Sequence, residues 1–292
     1  KNVSKRILAS TLNDYAVLKY DIAEYKESEK MHTESLNILL ESFGEKDRDV
    51  ASLYNNIANV MQQKNDIDGA EKYFKKALQL NIELFGENRP EVSSNYNNLA
   101  YIYVDKGDFT KAEEYFKKSL ELKSKYYGAE HSFVGFGLVN LGGLEFRMNK
   151  INESEEYILD AIRNLKISVN ENHIWLGLAY YWYGKILIEK NKYSEAETYL
   201  RKSLTINKKN YPTDHPNIIS ASAELGVVSF YLNRFTEAEN LLIYGYEGVK
   251  KIKGYKDHNT IRFLEYLIKL YEKTQNVTKL TYYNQLLLQA KK

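Results

Sequence analysis

The sequence contains no cysteine, only three proline residues and almost no imbalance of charge. Without cysteine the chain can form no disulfide, no thiolate nucleophile and no Cys-ligated metal site. A reducing, cytoplasmic location is the expectation, although a cysteine-free periplasmic protein would have the same composition. Lys and Arg number 41 against 39 Asp and Glu, a net charge of +2. This balance gives no electrostatic footprint for nucleic acid or for an anionic membrane.

Long apolar runs are also missing. No segment approaches the roughly 18 consecutive apolar residues that a membrane-spanning helix requires. Residues 1–10 have neither the apolar core nor the small-residue cleavage site of a signal peptide. The sequence does not begin with Met, which fits a processed chain or a piece of a longer protein. Its 292 residues, 43% of them hydrophobic, are nevertheless enough to bury a core.

What the sequence does contain is a repeat of 42 residues. Residues 67–109 provide the template, with two helix-length apolar patterns, a Phe-Gly stop, a Pro start and a Gly-Asp-aromatic turn. Apolar residues recur at steps of three and four, whereas hairpin signals are weak, so helices are predicted throughout. The first helix of each unit carries a large–small pair such as Leu99-Ala100, and the second an Ala-Glu pair such as Ala112-Glu113. Small residues at these points allow close helix packing.

Turn residues recur at fixed points between the helices. The first helix of a unit ends at a residue that tolerates the left-handed conformation, namely Asn65, Gly107, Asn149, Asn191 and Asn233. Pro90 and Pro216 begin first helices, where the missing N–H costs nothing. His131, His173 and His215 also recur there, one period apart. Helices packed 8–10 Å apart hold such residues too far apart to share a metal, so we expect helix caps.

The A-E-x-x-aromatic core and the upstream large–small pair resemble the tetratricopeptide repeat. Similarity to the kinesin-light-chain type rests on the segments Asn97-Asn98-Leu99-Ala100, Gly107-Asp108-Phe109, Ala112-Glu113-Glu114-Tyr115 and His215-Pro216-Asn217-Ile218. The resemblance implies an all-α, right-handed superhelix (α-solenoid) of about seven antiparallel helix pairs. We expect one domain over residues 1–292, with units near 10–42, 51–84, 92–126, 134–168, 176–210, 218–252 and 260–290, the last pair a cap.

No motif for catalysis, a cofactor or a metal is found. Gly135-Phe136-Gly137 followed by Gly142 misses the spacing of a dinucleotide loop, and Gly184-Lys185 misses that of a phosphate loop. There is no G-x-S-x-G, no Cys/His nucleophile arrangement and no distinct carboxylate pair. We therefore expect a non-catalytic scaffold that binds a protein or peptide, as a monomer or with weak self-association.

Two alternatives stay open at this level. In the first alternative, the chain is the sensor or docking region of a larger bacterial signalling enzyme: a Ser/Thr kinase, a histidine kinase or a caspase-like protease. Arrays of the kinesin type occur beside such domains, and a full-length reading frame would decide. The Lys-, Asn- and Tyr-rich composition is typical of a low-GC bacterial genome. The other alternative is self-assembly through uncapped ends of the array.

In the family that the repeats resemble, the first helices line a concave groove. The candidate binding residues are therefore those on first-helix faces that the core does not need: Asn55, Asn56, Asn59, Asn97, Asn98, Tyr101, Asn140, Tyr181, Trp182 and Lys185. The same argument predicts exposure of Val139, Gly143, Ala223, Glu224 and Val227. Amides can pair with the backbone of an extended peptide without reading its side chains. An exposed Tyr181-Trp182 pair is typical of an interface anchor.

Each of these assignments has a structural alternative. Asn98 and its equivalents could bond the preceding second helix and hold the repeats in register, and the aromatic pair could be partly buried. A carboxylate clamp, known in chaperone-binding members of the family, is not expected. It would need cations among the asparagines, and Ser52, Ser94, Asn56 and Asn98 provide none.

Overall fold

The structure, a computed structural model, describes residues 2–291. This part of the chain forms fourteen α-helices and no strand. The helices are α1 (Asn2–Asp21), α2 (Tyr25–Phe43), α3 (Arg48–Gln63), α4 (Ile67–Phe85), α5 (Pro90–Asp105), α6 (Phe109–Tyr127), α7 (Ser132–Arg147), α8 (Ile151–Ser168), α9 (Ile174–Glu189), α10 (Tyr193–Asn210), α11 (Pro216–Tyr231), α12 (Phe235–Lys253), α13 (His258–Lys273) and α14 (Val277–Ala290). The predicted all-α fold of about seven successive helix pairs is confirmed.

Helix boundaries follow the predicted units closely except at the first unit. The later six units begin and end within three residues of the predicted positions. In the first unit α1 begins at Asn2 rather than near residue 10. Residues 2–9 contain no Pro, Gly or stop signal, so nothing interrupts the helical pattern in that segment.

The turn residues behave as the repeat pattern predicts. Asn65, Asn149, Asn191 and Asn233 have φ between 57° and 63°, and Gly107 has φ 76°. Ala23 and Gln275 occupy the same turn in the first and last pairs, with φ 61° and 55°. A left-handed backbone is costly for residues other than Gly and Asn, so both terminal turns are strained.

The three periodic histidines cap helices, as predicted. In each case the imidazole Nδ1 accepts a hydrogen bond from the backbone N–H two residues later, at 3.2 Å. His173 and His215 have extended backbone at the N-caps of α9 and α11. Pro216 and Pro90 occupy the first helical positions of their helices, also as predicted.

The chain divides into two compact units, Lys1–Leu144 and Glu145–Lys292. In the first unit each of α1 to α5 packs on the helix that follows it, and α1 also contacts α3. Its core contains Phe74, completely buried, which clusters with Leu99 and Ile102 of the next first helix. Burial of such a ring contributes about 1.5–3 kcal/mol. The contact between α1 and α3 places the first helices of these neighbouring pairs side by side.

The second unit repeats this arrangement from α8 to α14. Successive helices pack on one another, α9 contacts α11, and α11 contacts α13. Close approach within a pair depends on small residues. A Cβ added to Gly184 would lie 2.6 Å from Leu200 Cγ, and one added to Gly226 would lie 2.9 Å from Leu242 Cγ. The predicted large–small pairs are therefore packing positions.

Candidate functional site

Several of the candidate asparagines form hydrogen bonds between neighbouring first helices. Asn56 Nδ2 donates to Asn13 Oδ1 at 2.8 Å, and Asn140 Nδ2 donates to Asn97 Oδ1, also at 2.8 Å. The two bonds are equivalent, two periods apart. The Tyr101 hydroxyl donates to Asn140 Oδ1 at 2.8 Å. These side chains hold first helices in register. The partners of Asn56 and Asn140 lie on the preceding first helix instead of the preceding second helix, and Tyr101 bonds to the following first helix.

A separate amide chain does connect a first helix to the preceding second helix. Asn81 Nδ2 in α4 donates to Asn95 Oδ1 in α5 at 2.7 Å, and Asn95 Nδ2 donates to Asn55 Oδ1 at 2.8 Å. Asn59 and Asn98 are half-buried, and the described residues provide no hydrogen bond to either side chain. Of the predicted asparagines, these two keep their full amide capacity for a ligand.

Several positions predicted to be exposed are buried. Asn140 is only 7% exposed, and the equivalent Glu224 is 1% exposed. Val139, Ala223 and Val227 are at most 1% exposed, and Gly143 is also buried. The prediction was wrong for these residues because neighbouring first helices contact one another and cover part of the face that a single helix would leave open.

The three candidates on α9 lie together, each of them half-buried. The Trp182 ring lies 5.6 Å from the Phe146 ring and 5.6 Å from the Tyr181 ring. The Lys185 ammonium lies over the rings of Phe146, Trp182 and Tyr181, at 4.6, 5.1 and 5.8 Å from their centroids. The aromatic pair is therefore partly covered, and it forms the wall of a site around one cation.

Among the residues that the structure describes, Lys185 has no hydrogen-bonding partner. Its side chain is 15% exposed, and its nearest carboxylate oxygen, Glu224 Oε1, is 3.9 Å from Nζ. That distance is an ion pair but is too long for a hydrogen bond. Burial lowers the pKa of Lys185, Arg262 and Arg147 lower it further, and Glu224 and Glu189 oppose them. An ammonium has three N–H donors, and no hydrogen bond from this one is found within residues 2–291.

Glu224 accepts hydrogen bonds from a different cation. Arg262 Nη1 and Nη2 donate to the two Glu224 oxygens at 2.7 and 3.0 Å. Burial works to raise the pKa of Glu224, but Arg262 and Lys185 outweigh it and hold the pKa below its usual value. The same pair raises the pKa of Arg262 despite its burial. Both groups are therefore charged, in the fork geometry that favours Arg–carboxylate pairs.

We name this group of side chains the Lys185 cluster: Phe146, Arg147, Tyr181, Trp182, Lys185, Glu224 and Arg262. Burial raises the pKa of Tyr181 well above its usual value, with Glu224 adding to it. A small cavity of about 60 Å³ beside Tyr181 is lined by Leu178, Tyr181, Asn207, Asn217 and Ser220. The Lys185 cluster contains three cations and one carboxylate, and exposed Glu189, whose charge also acts on Lys185, adds a second carboxylate. It therefore keeps one positive charge in excess.

Sequence reasoning placed Glu224 on the exposed face of its first helix but predicted neither its burial nor its ion pair, and it missed Arg262 altogether. Arg262 lies four periods beyond Ser94, whereas a clamp cation was considered only in the second and third units, at Ser52, Asn56, Ser94 and Asn98. Glu224 lies one period beyond Trp182 and two beyond Asn140. A full alignment of the seven units would have shown both charges. It would not have shown that they pair.

Other chemistry is not evident in the described part of the chain. Residues 2–291 contain no group of three or more His, Cys, Asp or Glu side chains able to hold a metal ion. Among the fourteen helices that the structure describes, none is both long and apolar enough to cross a membrane.

Comparisons with known proteins agree on the fold. A family model described as tetratricopeptide repeat matches residues 7–83, 49–123 and 91–167, and a second such model matches residues 178–210. The comparison with curated proteins found no match.

Solved structures give the same result. Aspartyl phosphate phosphatase F from Bacillus subtilis is 17% identical with a TM-score of 0.74, over 100% of this chain and 72% of that one. The apo form of the quorum sensor NprR from B. thuringiensis is 14% identical with a TM-score of 0.71, over 96% and 75%. A putative kinesin light chain from Podosopora anserina is 16% identical with a TM-score of 0.53, over 68% and 94%. At such identities the likeness concerns the fold.

Proposed function

Since this chain belongs to the tetratricopeptide repeat family, as its repeats predict, we propose that it is a non-catalytic scaffold that binds a protein or peptide partner along its first helices. The observation that supports this most directly is the Lys185 cluster. It is composed of side chains from four first helices, α7, α9, α11 and α13. The core does not require a buried lysine at position 185, and burying its charge lowers the stability of the fold. Binding of a ligand gives such a residue a purpose.

The chemistry of the cluster favours an acidic group on the partner. Lys185 offers unused N–H donors, while Glu224 is already paired with Arg262 at 2.7 and 3.0 Å. A carboxylate of the ligand, from Asp, Glu or a C-terminus, would complete the hydrogen bonding of the ammonium. Trp182 and Phe146 would contact an apolar residue next to that carboxylate. The negative charge of Glu224 offsets the repulsion between Lys185 and Arg262 when no ligand is bound.

The asparagines contribute in two ways under this proposal. Asn56, Asn97 and Asn140 fix the spacing of neighbouring first helices through the bonds described above. Asn59 and Asn98 hold amides that are available to a peptide backbone. Tyr101 and Asn55 remain candidate contacts, although the Tyr101 hydroxyl already donates to Asn140 and the Asn55 amide both donates to Ala51 O and accepts from Asn95.

A peptide-display selection on the purified chain tests this function. We expect enriched peptides to contain an acidic residue beside an apolar one. Lys185→Gln should weaken their binding by about 10- to 100-fold, because a hydrogen bond to a charged group contributes about 1.5–3 kcal/mol. Trp182→Ala should also weaken it. Lys166→Gln, an exposed lysine on the second helix α8, is the matched control and should leave binding unchanged.

The possible outcomes separate two claims. If selected peptides are not acidic, and Lys185→Gln binds them as well as the wild type does, the Lys185 cluster is not the ligand site. If the intact chain enriches no peptide over a selection carried out without the protein, the peptide-binding function itself is refuted.

A further inference from the structure

A second buried lysine, outside the Lys185 cluster, has no counter-charge. Lys123 in α6 is only 6% exposed. Among residues 2–291 no carboxylate pairs with its ammonium, and no acceptor takes a hydrogen bond from it. The ammonium lies over the Phe136 ring, with Nζ 5.7 Å from the ring centroid. Burial lowers the pKa of Lys123 to about 8. A charge buried in this way lowers the stability of the fold, so packing alone does not explain its presence.

The repeat does not require a lysine at this position. Five other second helices carry an uncharged residue there, and all five side chains are buried: Leu39, Asn81, Leu165, Asn207 and Val249. Each of them lies a whole number of 42-residue periods from Lys123. Apolar and amide side chains therefore satisfy the helix packing, and the charge is particular to the third unit.

Elsewhere in the array the same position borders a cavity. The cavity lies between a second helix and the first helices on its two sides, and each of the three helices contributes a lining residue. These residues are Asn13, Leu39 and Ser52 in a cavity of about 330 Å³, and, four periods later, Tyr181, Asn207 and Ser220 in a cavity of about 60 Å³. We name this recurrent space between three helices the niche.

In the third unit the three niche positions are occupied by Asn97, Lys123 and Phe136. The distance of 5.7 Å between Lys123 Nζ and the Phe136 ring shows that these two side chains do meet across the niche. The ammonium therefore points into a space that the first and fifth units leave as a cavity.

The second unit shows how side chains can satisfy one another in the niche. Asn81 Nδ2 donates to Asn95 Oδ1 at 2.7 Å, and Asn95 Nδ2 donates to Asn55 Oδ1 at 2.8 Å. The residue equivalent to Asn95 in the third unit is Gly137. Because glycine has no side-chain acceptor, Lys123 cannot form the bond that Asn81 forms one period earlier.

The remaining polar group of this niche is also a donor. Asn97 Oδ1 accepts from Asn140 Nδ2 at 2.8 Å, whereas Asn97 Nδ2 makes no hydrogen bond among residues 2–291. An ammonium and an amide N–H group require an acceptor, and a charged acceptor gives the stronger bond. One cation without an arginine beside it matches the single charge of a carboxylate better than the larger charge of a phosphate. The Phe136 ring would contact the carbon atoms next to that carboxylate.

We propose that Lys123, Asn97 and Phe136 form a binding site for a carboxylate group of a ligand. Lys123 supplies the charge, Asn97 a second hydrogen bond and Phe136 an apolar wall. The site lies within the compact unit Lys1–Leu144, and it does not depend on the function proposed for the Lys185 cluster. Lys123 belongs to a second helix, so it is not one of the first-helix positions considered for a carboxylate clamp.

NMR of the whole chain with isotope-labelled lysine tests the site. The Lys123 Cε–Hε signal is assigned by its loss in Lys123→Met, and acetate then replaces chloride at constant ionic strength. We expect a saturable shift of this signal and a rise of the Lys123 pKa from about 8 to about 9 or above, because a nearby carboxylate favours the charged form. The signal of Lys72, an exposed lysine of α4, is the matched control and should not shift.

Two model compounds separate the sources of the carboxylate. N-acetylglutamate amide presents it as the side chain of a partner protein would, and N-acetylglutamine amide is the neutral counterpart. A response to acetate and to the glutamate compound assigns the site to an acidic side chain, whereas a response to acetate alone assigns it to a small free carboxylate. If neither acts, or if the glutamine compound or phosphate acts at an equal or lower concentration, the proposal is refuted.

A stability measurement separates binding from a structural role for Lys123. Lys123→Met keeps an unbranched side chain and removes the charge, so we expect a higher thermal midpoint. The same variant should lose the acetate-induced shifts at the Asn97 and Phe136 amides, whereas Lys72→Met should keep both the midpoint and the shifts. A lower midpoint in Lys123→Met would show that the ammonium stabilises the fold without a ligand, and it would overturn the inference.

Discussion

His32 should make the protein less stable in mild acid. It lies in α2 at the position that Phe74 and Phe116 occupy one and two periods later, and it is 1% exposed. Its Nδ1 has no hydrogen-bonding partner within residues 2–291. Burial lowers its pKa from 6.5 to about 4. The imidazole therefore replaces an apolar ring and remains neutral in the folded chain.

The sign and the size of the effect follow from this difference in pKa. The unfolded chain binds a proton near pH 6.5, whereas the folded chain binds one only near pH 4. Stability is therefore fully present above pH 6.5 and is lost as the pH falls from 6.5 to 4. Each pKa unit corresponds to about 1.36 kcal/mol, so the complete loss is about 3.4 kcal/mol, of which about 2 kcal/mol is reached at pH 5.

The comparison with His32→Phe isolates this effect from the titration of carboxylates. We expect the difference in unfolding free energy between the variant and the wild type to grow by about 2 kcal/mol between pH 8 and pH 5. Urea unfolding followed by circular dichroism gives that difference. Because repeat arrays often unfold in several steps, NMR titration of the His32 ring proton is the more direct assay. A His32 pKa of 6 or above, or parallel stability curves for the two proteins, would refute the reasoning.

Three further predictions concern single positions. Asn140→Ala removes hydrogen bonds with Tyr101 and Asn97 from a nearly buried amide, so its free energy of unfolding, measured in urea, should fall by about 1–3 kcal/mol. The control Asn98→Ala should lower it by less than about 0.5 kcal/mol. His215→Ala removes the cap of α11 and should lower the free energy of unfolding by about 1 kcal/mol, whereas His258→Ala should have little effect because Asp257 caps α13. Equal shifts of the thermal midpoint in the two variants would contradict this. Ala23→Gly relieves a left-handed φ of 61° and should stabilise by about 1 kcal/mol; an unchanged or lower midpoint would contradict this.

Much of the architecture could be predicted from the sequence because it depends on local rules. Gly107 and Asn233 adopt the left-handed backbone that their types allow, and His215 caps its helix through a bond only two residues long. Such features need no knowledge of the neighbouring repeat. The period of 42 residues also places the outer ends of the later six helix pairs within three residues of the observed helix ends, whereas the sequence contains no signal for the start of α1.

The site was predicted less well because it depends on contacts between repeats. Lys185 and Trp182 were identified from their faces alone, but the burial of Glu224 requires α9, α11 and α13 to lie side by side. The pairing of Glu224 with Arg262, 38 residues away, is not encoded in either local pattern. Whether these residues bind a ligand stays a prediction, as do the cytoplasmic location and the bacterial source.

The first helix pair has a thermodynamic consequence for the whole array. In a repeat protein the stability of each unit is approximately its own folding free energy plus the contributions of its neighbours. The α1–α2 pair places His32 where other pairs bury Phe74 or Leu242. A buried imidazole stabilises its pair less than an apolar side chain does, so α1–α2 should open before the central pairs and exchange its amide hydrogens through local unfolding. Each such opening would remove the contribution that α1–α2 makes to the stability of the adjacent α3–α4 pair.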